Sequence, residues 1–377
     1  MAITAYSRTF QREVQVSQLE DLHRIFANEL KLNSDFRLFV SEDVECPCCN
    51  VSNAIVVKEG FSSKTAKLVK LAHFSFRNKD GFDSHLKFCD YYQGHDKEKQ
   101  TTNDCNISIR ESNNVTTEAI RKLICAGIEN KILSQDDIRN MRQWFLTTRS
   151  KPDLFIEDSK IILNIVYEAL YNVYRKRNRY VEDISKLNDP FFDLDDETYK
   201  SLSFKIPVEK LPDGNEQVFY CLTRKTILRR AINISLKDNG TYTFDRTNLE
   251  DKYKATFHLS YKIIKTIPEI SDKFRDFNKI KRNNVVMAYS ALLLFICNWD
   301  YEIAYSKHIE ISKITHIQDH NLGNVIGINP FLDYDAWRVL KFINEWKVNL
   351  KAYNLQDEFE RERYRLEQLY SQYLEDE

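Results

Sequence analysis

Cys46-Pro47-Cys48-Cys49 sets two thiols, Cys46 and Cys49, three positions apart, so one knuckle turn can aim both at a shared ion. Thirty-six residues after Cys49, the run His85-Leu86-Lys87-Phe88-Cys89 offers a histidine and a cysteine four apart. Two ligand pairs separated by a β-rich stretch are a common way to hold structural Zn2+. His73, in Ala72-His73-Phe74-Ser75, is a further candidate, and Cys48 can substitute for its neighbours. The candidate ligands are therefore Cys46, Cys49, Cys89 and a histidine, either His73 or His85. Residues 46–89 contain no HExxH and no His-x-Glu, the patterns that give an open zinc its acid or base, so the expected role of the ion is structural.

Two further groups of residues have chemistry to offer. Tyr171 to Tyr180 combines Arg175, Lys176, Arg177 and Arg179 with three tyrosines, a composition suited to phosphate contacts and base stacking. The same residues also fit an amphipathic helix with Tyr171, Tyr174 and Val181 inward and a solvated basic face. Lys273–Arg282 and Thr223–Arg230 carry the same pair of readings. His308, His316 and His320, with Asp319, gather three histidines in 13 residues. Asn321 and Gly323 make the second part of that run a loop, and exposed or core histidines are expected there rather than a second metal site.

Composition narrows the function classes. The chain has 377 residues, 42% apolar and 29% charged, which is an ordinary globular balance with room for two or three domains. Fifty-six acids nearly cancel 55 bases, so any nucleic-acid contact must come from a local patch. Only eight glycines are present and none builds GxGxxG or GxxxxGK[ST], which argues against a dinucleotide or P-loop site. The longest apolar run, Val285 to Cys297, has 13 residues and is too short to span a bilayer. With no apolar leader in the first residues, a cytoplasmic protein is expected, and its eight cysteines should serve as ligands or core thiols.

The elements that must position these residues follow from the hydrophobic pattern. A helix is predicted over Leu19–Leu32, an extended run over Phe36–Val40 and a strand over Ala54–Lys58. Helices are predicted over Thr117–Lys131, capped by Thr116 or Thr117, and from Ser134 to Trp144. Asp153–Glu157 and Lys160–Val166 read as strands, the second as a buried one, followed by a helix from Glu168 to about Leu187. Asp238-Asn239-Gly240 predicts a hairpin between Ile232–Leu236 and Tyr242–Phe244. From about 251 onward the pattern is mainly helical, with Val285–Cys297 as a core helix. It closes on a Leu355–Leu374 helix whose stripe (Leu355, Phe359, Leu366, Leu369, Tyr373) packs on the protein's own body or, as the alternative, pairs with a partner or with itself.

CPCC, then AHFSF, then HLKFCDYY resembles the N-terminal zinc module of the competence protein CoiA-like family. The resemblance matches Cys46, Cys49, His73 and Cys89, with Phe76 where the family has a second histidine and His85 able to compensate. It implies a PD-(D/E)xK nuclease-like core after the zinc module, with Asp153 as the catalytic metal-binding aspartate and Mg2+ as its ion. Asn164 and Val166 stand where the second acid and the lysine would be, which favours binding over cleavage. The expected protein is then α+β: a zinc-ribbon-like module over residues 1–110, a degenerate nuclease-like α/β core over 111–200 and a mainly helical domain over 201–377. It would act on or near DNA, in uptake, processing or defence. The alternatives are an active metal-dependent nuclease using Asp153 and a zinc-stabilised protein-interaction scaffold.

Overall fold

A computed structural model of the chain describes residues 3–61, 68–78, 80–86, 89, 91–92, 105–109, 112–175, 179–182, 189, 191–205, 216–274, 277–349 and 354–375. The architecture is α+β, and every strand pair among the described residues is antiparallel. The chain divides into two compact units, one of residues 1–151 and 249–332 and the other of 152–248 and 333–377. This division differs from three consecutive segments: the chain leaves the first unit after Lys151 and re-enters it at Leu249.

In the first unit, Thr4–Ser7 is the centre of a three-stranded sheet, flanked by Arg12–Gln15 and Val44–Glu45. Helix Val16–Phe26 continues directly from the sheet and buries Val16, Leu19 and His23. The expected extended run at Phe36–Val40 is instead part of helix Phe36–Asp43. The Asp35 carboxylate accepts from the amides of Arg37 and Leu38, a helix cap that a short apolar run does not reveal. Ala54–Val57 pairs with His73–Phe76, and Gly60–Phe61 with Leu68–Lys70. The inner face of the Ala54–Val57 and His73–Phe76 pair joins the N-terminal sheet in one core, made of Val14, Leu19, Val40, Phe74, Phe76 and the knuckle cysteines.

The helical part of this unit surrounds Asn284–Ile296, in which every residue from Val286 to Leu294 is buried. An all-round apolar helix needs neighbours on all sides. Here they are Val115–Glu129, Gln135–Arg149, Glu250–Thr266 and Tyr301–Ser312. Ser134 caps Gln135–Arg149 as its sequence predicts, whereas Asn114, rather than a threonine, caps Val115–Glu129. Strand Val325–Ile328 returns to pair with Asn106–Ile109.

Among its described residues the second unit has one small ladder, Leu154–Ile156 against Thr241–Thr243, packed among helices. Lys160–Val166, expected as a strand, is the first half of helix Lys160–Tyr174. Ile162, Leu163, Ile165, Val166, Ala169 and Leu170 are all buried, and a helix covered on most of its surface shows the same unbroken apolar run as a central strand. The predicted Glu168–Leu187 helix thus ends at Tyr174, and residues 183–188 lie outside the described residues. Ile232–Leu236 is likewise helical, within Lys225–Lys237, so Asp238-Asn239-Gly240 joins a helix to a strand rather than two strands. Gly240 supplies the positive φ of +78° that this turn requires. Helix Leu355–Glu375 buries Phe359, Leu366 and Tyr370 and packs on Leu194–Ser203 and Lys160–Tyr174, so its stripe is used within the unit.

Candidate metal centre

Four of the five candidate ligands converge. One ligand atom each from Cys46, Cys49, His85 and Cys89 lies within 4.8 Å of the others. Tetrahedral Zn2+ with Zn–S of about 2.3 Å and Zn–N of about 2.0 Å requires sulfurs about 3.8 Å apart and sulfur–nitrogen separations of about 3.6 Å. Cys46 and Cys89 Sγ are 3.9 Å apart, and His85 Nδ1 lies 3.3 Å from Cys49 Sγ and 3.6 Å from Cys89 Sγ. These three separations are close to those of a tetrahedral site, so the cluster could hold a metal ion such as zinc.

Local chain geometry explains the convergence. The Cys46 amide donates to the Val51 carbonyl and the Asn50 amide to the Cys46 carbonyl, closing a tight turn with Asn50 at φ +59°. The Cys48 amide points at Cys46 Sγ, 3.4 Å away, which holds the first thiol on the inside of the turn. The second pair follows a short loop in which Asn78 Oδ1 accepts from the amides of Asp80 and Phe82. The Asp83 carboxylate then accepts from the His85 amide and fixes where the imidazole starts.

Helix Gln135–Arg149 buttresses the knuckle from outside. Arg139 reaches Glu45 at 3.0 Å and Asn50 at 2.9 Å while lying over the Tyr6 ring, and Gln143 donates to the Cys48 carbonyl. Such outer contacts orient first ligands. Nothing in the local spacing around residues 46–89 signals them, because they come about 90 positions later.

Electrostatics points the same way. Burial pushes the Cys46 thiol well up, whereas hydrogen bonding from Cys46 holds Cys49 well down. A dication among the packed sulfurs would favour the thiolate at each. All eight cysteines are buried and none is in a disulfide.

His73 is not in the group. It is buried on strand His73–Phe76 and its Nδ1 lies 3.0 Å from the Leu71 carbonyl oxygen. Cys48 turns toward Asn106, with Sγ 3.9 Å from Oδ1.

Asp153 lies in the second unit, just before Leu154–Ile156, and Lys160–Tyr174 supplies no second strand beside it. The two-strand nuclease layout implied by the family resemblance is therefore not formed: Asn164 and Val166 are helical, and the Asn164 amide donates to the Lys160 carbonyl. Glu168 has Lys200 and Asp196 as charged neighbours, and burial raises its carboxyl. A different acid and lysine do come near Asp153. Its Oδ1 accepts from the Asp245 amide at 2.7 Å and its Oδ2 from Asn248, while Asp245 pairs with Lys341 Nζ at 2.9 Å. That hydrogen bond to Asp245 holds Lys341 protonated to higher pH than usual. Neither Asp245 nor Lys341 stands at a spacing that sequence inspection could have linked to Asp153.

Arg175 and Arg179 are exposed, and Arg175 lies over the Tyr171 ring, while Lys176 and Arg177 lie outside the described residues. Val181, expected inward, is 63% exposed because the helix has already ended. His308 is buried, with Nε2 2.6 Å from Thr266 Oγ1 and Nδ1 3.4 Å from the Tyr289 hydroxyl. His316 and His320 lie on an exposed loop held by the Glu129 carboxylate, which accepts from the Gln318 amide. Among the described residues no helix is long and apolar enough to cross a membrane. Comparison with protein-family models, with curated proteins and with solved structures finds no match to this chain.

Proposed function

We propose that this chain is a zinc-stabilised cytosolic protein that binds DNA, holding it without cutting it. The observation that carries the reading is the Cys3His cluster, whose separations already suit a tetrahedral ion and whose four protein donors leave no open coordination position for catalysis. The resemblance of CPCC and HLKFCDYY to the zinc module of the CoiA-like family gives the direction toward DNA. Basic faces such as Arg175 and Arg179 supply phosphate contacts. The test uses purified full-length protein with its zinc content measured. A mobility shift of DNA at about 50 mM salt, weakening steeply as salt rises, is expected. No shift on any nucleic acid favours the scaffold reading instead.

A second reading, metal-dependent phosphodiester cleavage, is favoured by one observation: Asp153 sits beside Asp245 and Lys341 at the end of the Leu154–Ile156 ladder. Two carboxylates and a lysine are the residue types that such hydrolysis uses for Mg2+ and for charge developing at phosphorus. Both carboxylates already accept hydrogen bonds from the chain's own turn, which also explains their presence structurally. Incubation of plasmid with protein and Mg2+ or Mn2+ separates the two. Cleavage lost in both Asp153→Ala and Asp245→Ala would establish the second reading.

A further inference from the structure

The stretch from Lys252 to Arg282 holds nine lysines and arginines against three acids, in a chain whose net charge is −1. Its two larger helices, Glu250–Thr266 and Phe277–Lys281, pack together in the first unit. The first turns Thr256, Leu259, Ser260, Ile263 and Ile264 inward. Lys254, His258, Lys262 and Lys265 are left outward, and Lys273, Lys279 and Arg282 are exposed on the following segment. Lys262, Lys265, Lys273 and Lys279 form no ion pair with any described carboxylate.

Aromatic rings run through the same surface. Tyr261 and Phe277 stack with centroids 5.1 Å apart and planes 25° from parallel, and Phe257 follows at 6.2 Å from Phe277. Lys265 Nζ lies 4.1 Å from the Tyr261 centroid at one end of this row, and Lys281 lies over Phe257 at the other. Phe277 is 54% exposed although the unit has an apolar core into which a phenylalanine could be packed. A row of rings flanked by ammonium groups combines π-faces with positive charge on one surface.

We infer that this face binds single-stranded DNA, with phosphates on Lys262, Lys265 and Lys279 and an unpaired base stacked on Phe277. Charge complementarity selects a polyanion, and the exposed ring selects a strand whose bases are free to stack, since a duplex keeps its base faces covered. The inference rests on the DNA-binding reading above and adds to it the surface and the strandedness.

The test measures binding of a labelled 30-nucleotide DNA to zinc-loaded full-length protein by fluorescence anisotropy across a salt series. The triple variant Lys262→Glu, Lys265→Glu, Lys279→Glu should bind at least about tenfold more weakly, with the log–log salt slope smaller in magnitude by about 2. Phe277→Ala should weaken binding about tenfold while leaving that slope unchanged. Because all four positions are exposed, zinc content and melting temperature should match the wild type, and an equal charge change elsewhere (Lys31→Glu, Lys122→Glu, Lys225→Glu) should leave binding within about twofold. Wild-type affinity in the triple variant overturns this surface and leaves the DNA reading standing. Equal loss in the control variant also overturns it, by reducing the effect to net charge. A duplex or an RNA of the same sequence bound tenfold more tightly overturns the choice of single-stranded DNA. Absence of any binding by the wild type removes the DNA reading and this inference together.

Discussion

At the scale of single residues, the candidate metal site turns on one choice between histidines. His85→Ala should reduce bound zinc from one per chain toward zero, whereas His73→Ala should retain it and lose stability only through packing; metal analysis of the purified variants decides. The thiols were legible because cysteine spacing is a one-dimensional property of a turn. The histidine was not, because His73 and His85 differ in which way strand and loop aim them, and only the fold fixes that.

The same scale holds a buried ion pair that sequence could not show. Glu13 and Arg142 meet at 2.8 Å with both side chains about 1% exposed, and Glu13 also accepts from Thr4 and from the Ile326 amide. Arg142→Ala leaves that carboxylate buried without its partner and should cost about 3–5 kcal/mol, measured by urea unfolding. His308 supplies a pH effect. Burial lowers its pKa to about 4 from an ordinary 6.5, so the unfolded chain takes up a proton that the folded chain refuses. Stability should be flat above pH 6.5, then fall as pH drops from 6.5 toward 4, by at most about 3 kcal/mol. A pH series of urea midpoints checks the direction, and a His308→Gln variant should show a shallower slope over that window.

Among the elements, the informative difference is Lys160–Tyr174. Its opening run Ile161-Ile162-Leu163-Asn164-Ile165-Val166 contains no period that separates a buried helix from a buried strand. Length decides between them, since the apolar pattern continues through Ala169 and Leu170 for 15 residues in all. Asn164→Pro should therefore remove a helical hydrogen bond and cost about 3 kcal/mol or more, while Asn164→Ala, half-buried on the same helix, should change stability by less than about 1 kcal/mol. Thermal melts followed by far-ultraviolet circular dichroism report both. Where local chemistry governs, sequence was sufficient: Ser134 with Asp137 forms a reciprocal cap, and Val286–Leu294 is buried as the composition of its run requires.

For the whole molecule, metal dependence should be confined to one unit. The candidate ligands Cys46, Cys49 and Cys89 share a core with the N-terminal sheet, whereas Trp337, Leu163 and Leu340 form a separate core in the second unit. Removing zinc with a chelator should speed amide exchange in residues 44–92 and in the Thr4–Ser7 sheet while leaving the Lys160–Tyr174 helix protected, as read by exchange mass spectrometry. The division itself was not legible, because contiguous texture changes suggest consecutive domains and the return of the chain at Leu249 is a property of tertiary contacts alone.

That return has a consequence for biosynthesis. The Glu13 carboxylate finds its last partner in the amide of Ile326, and strand Asn106–Ile109 finds its mate in Val325–Ile328. A ribosome elongating at about 5–20 residues per second needs some 15–60 s to translate from the one to the other. For that interval the nascent N-terminal part carries an acid awaiting burial and, once Asn106–Ile109 has been made, an open strand edge as well. Cys89, the last of the candidate ligands, emerges long before Ile326, so a metal taken up by the cluster would hold this part of the chain in shape until its partner segment arrives.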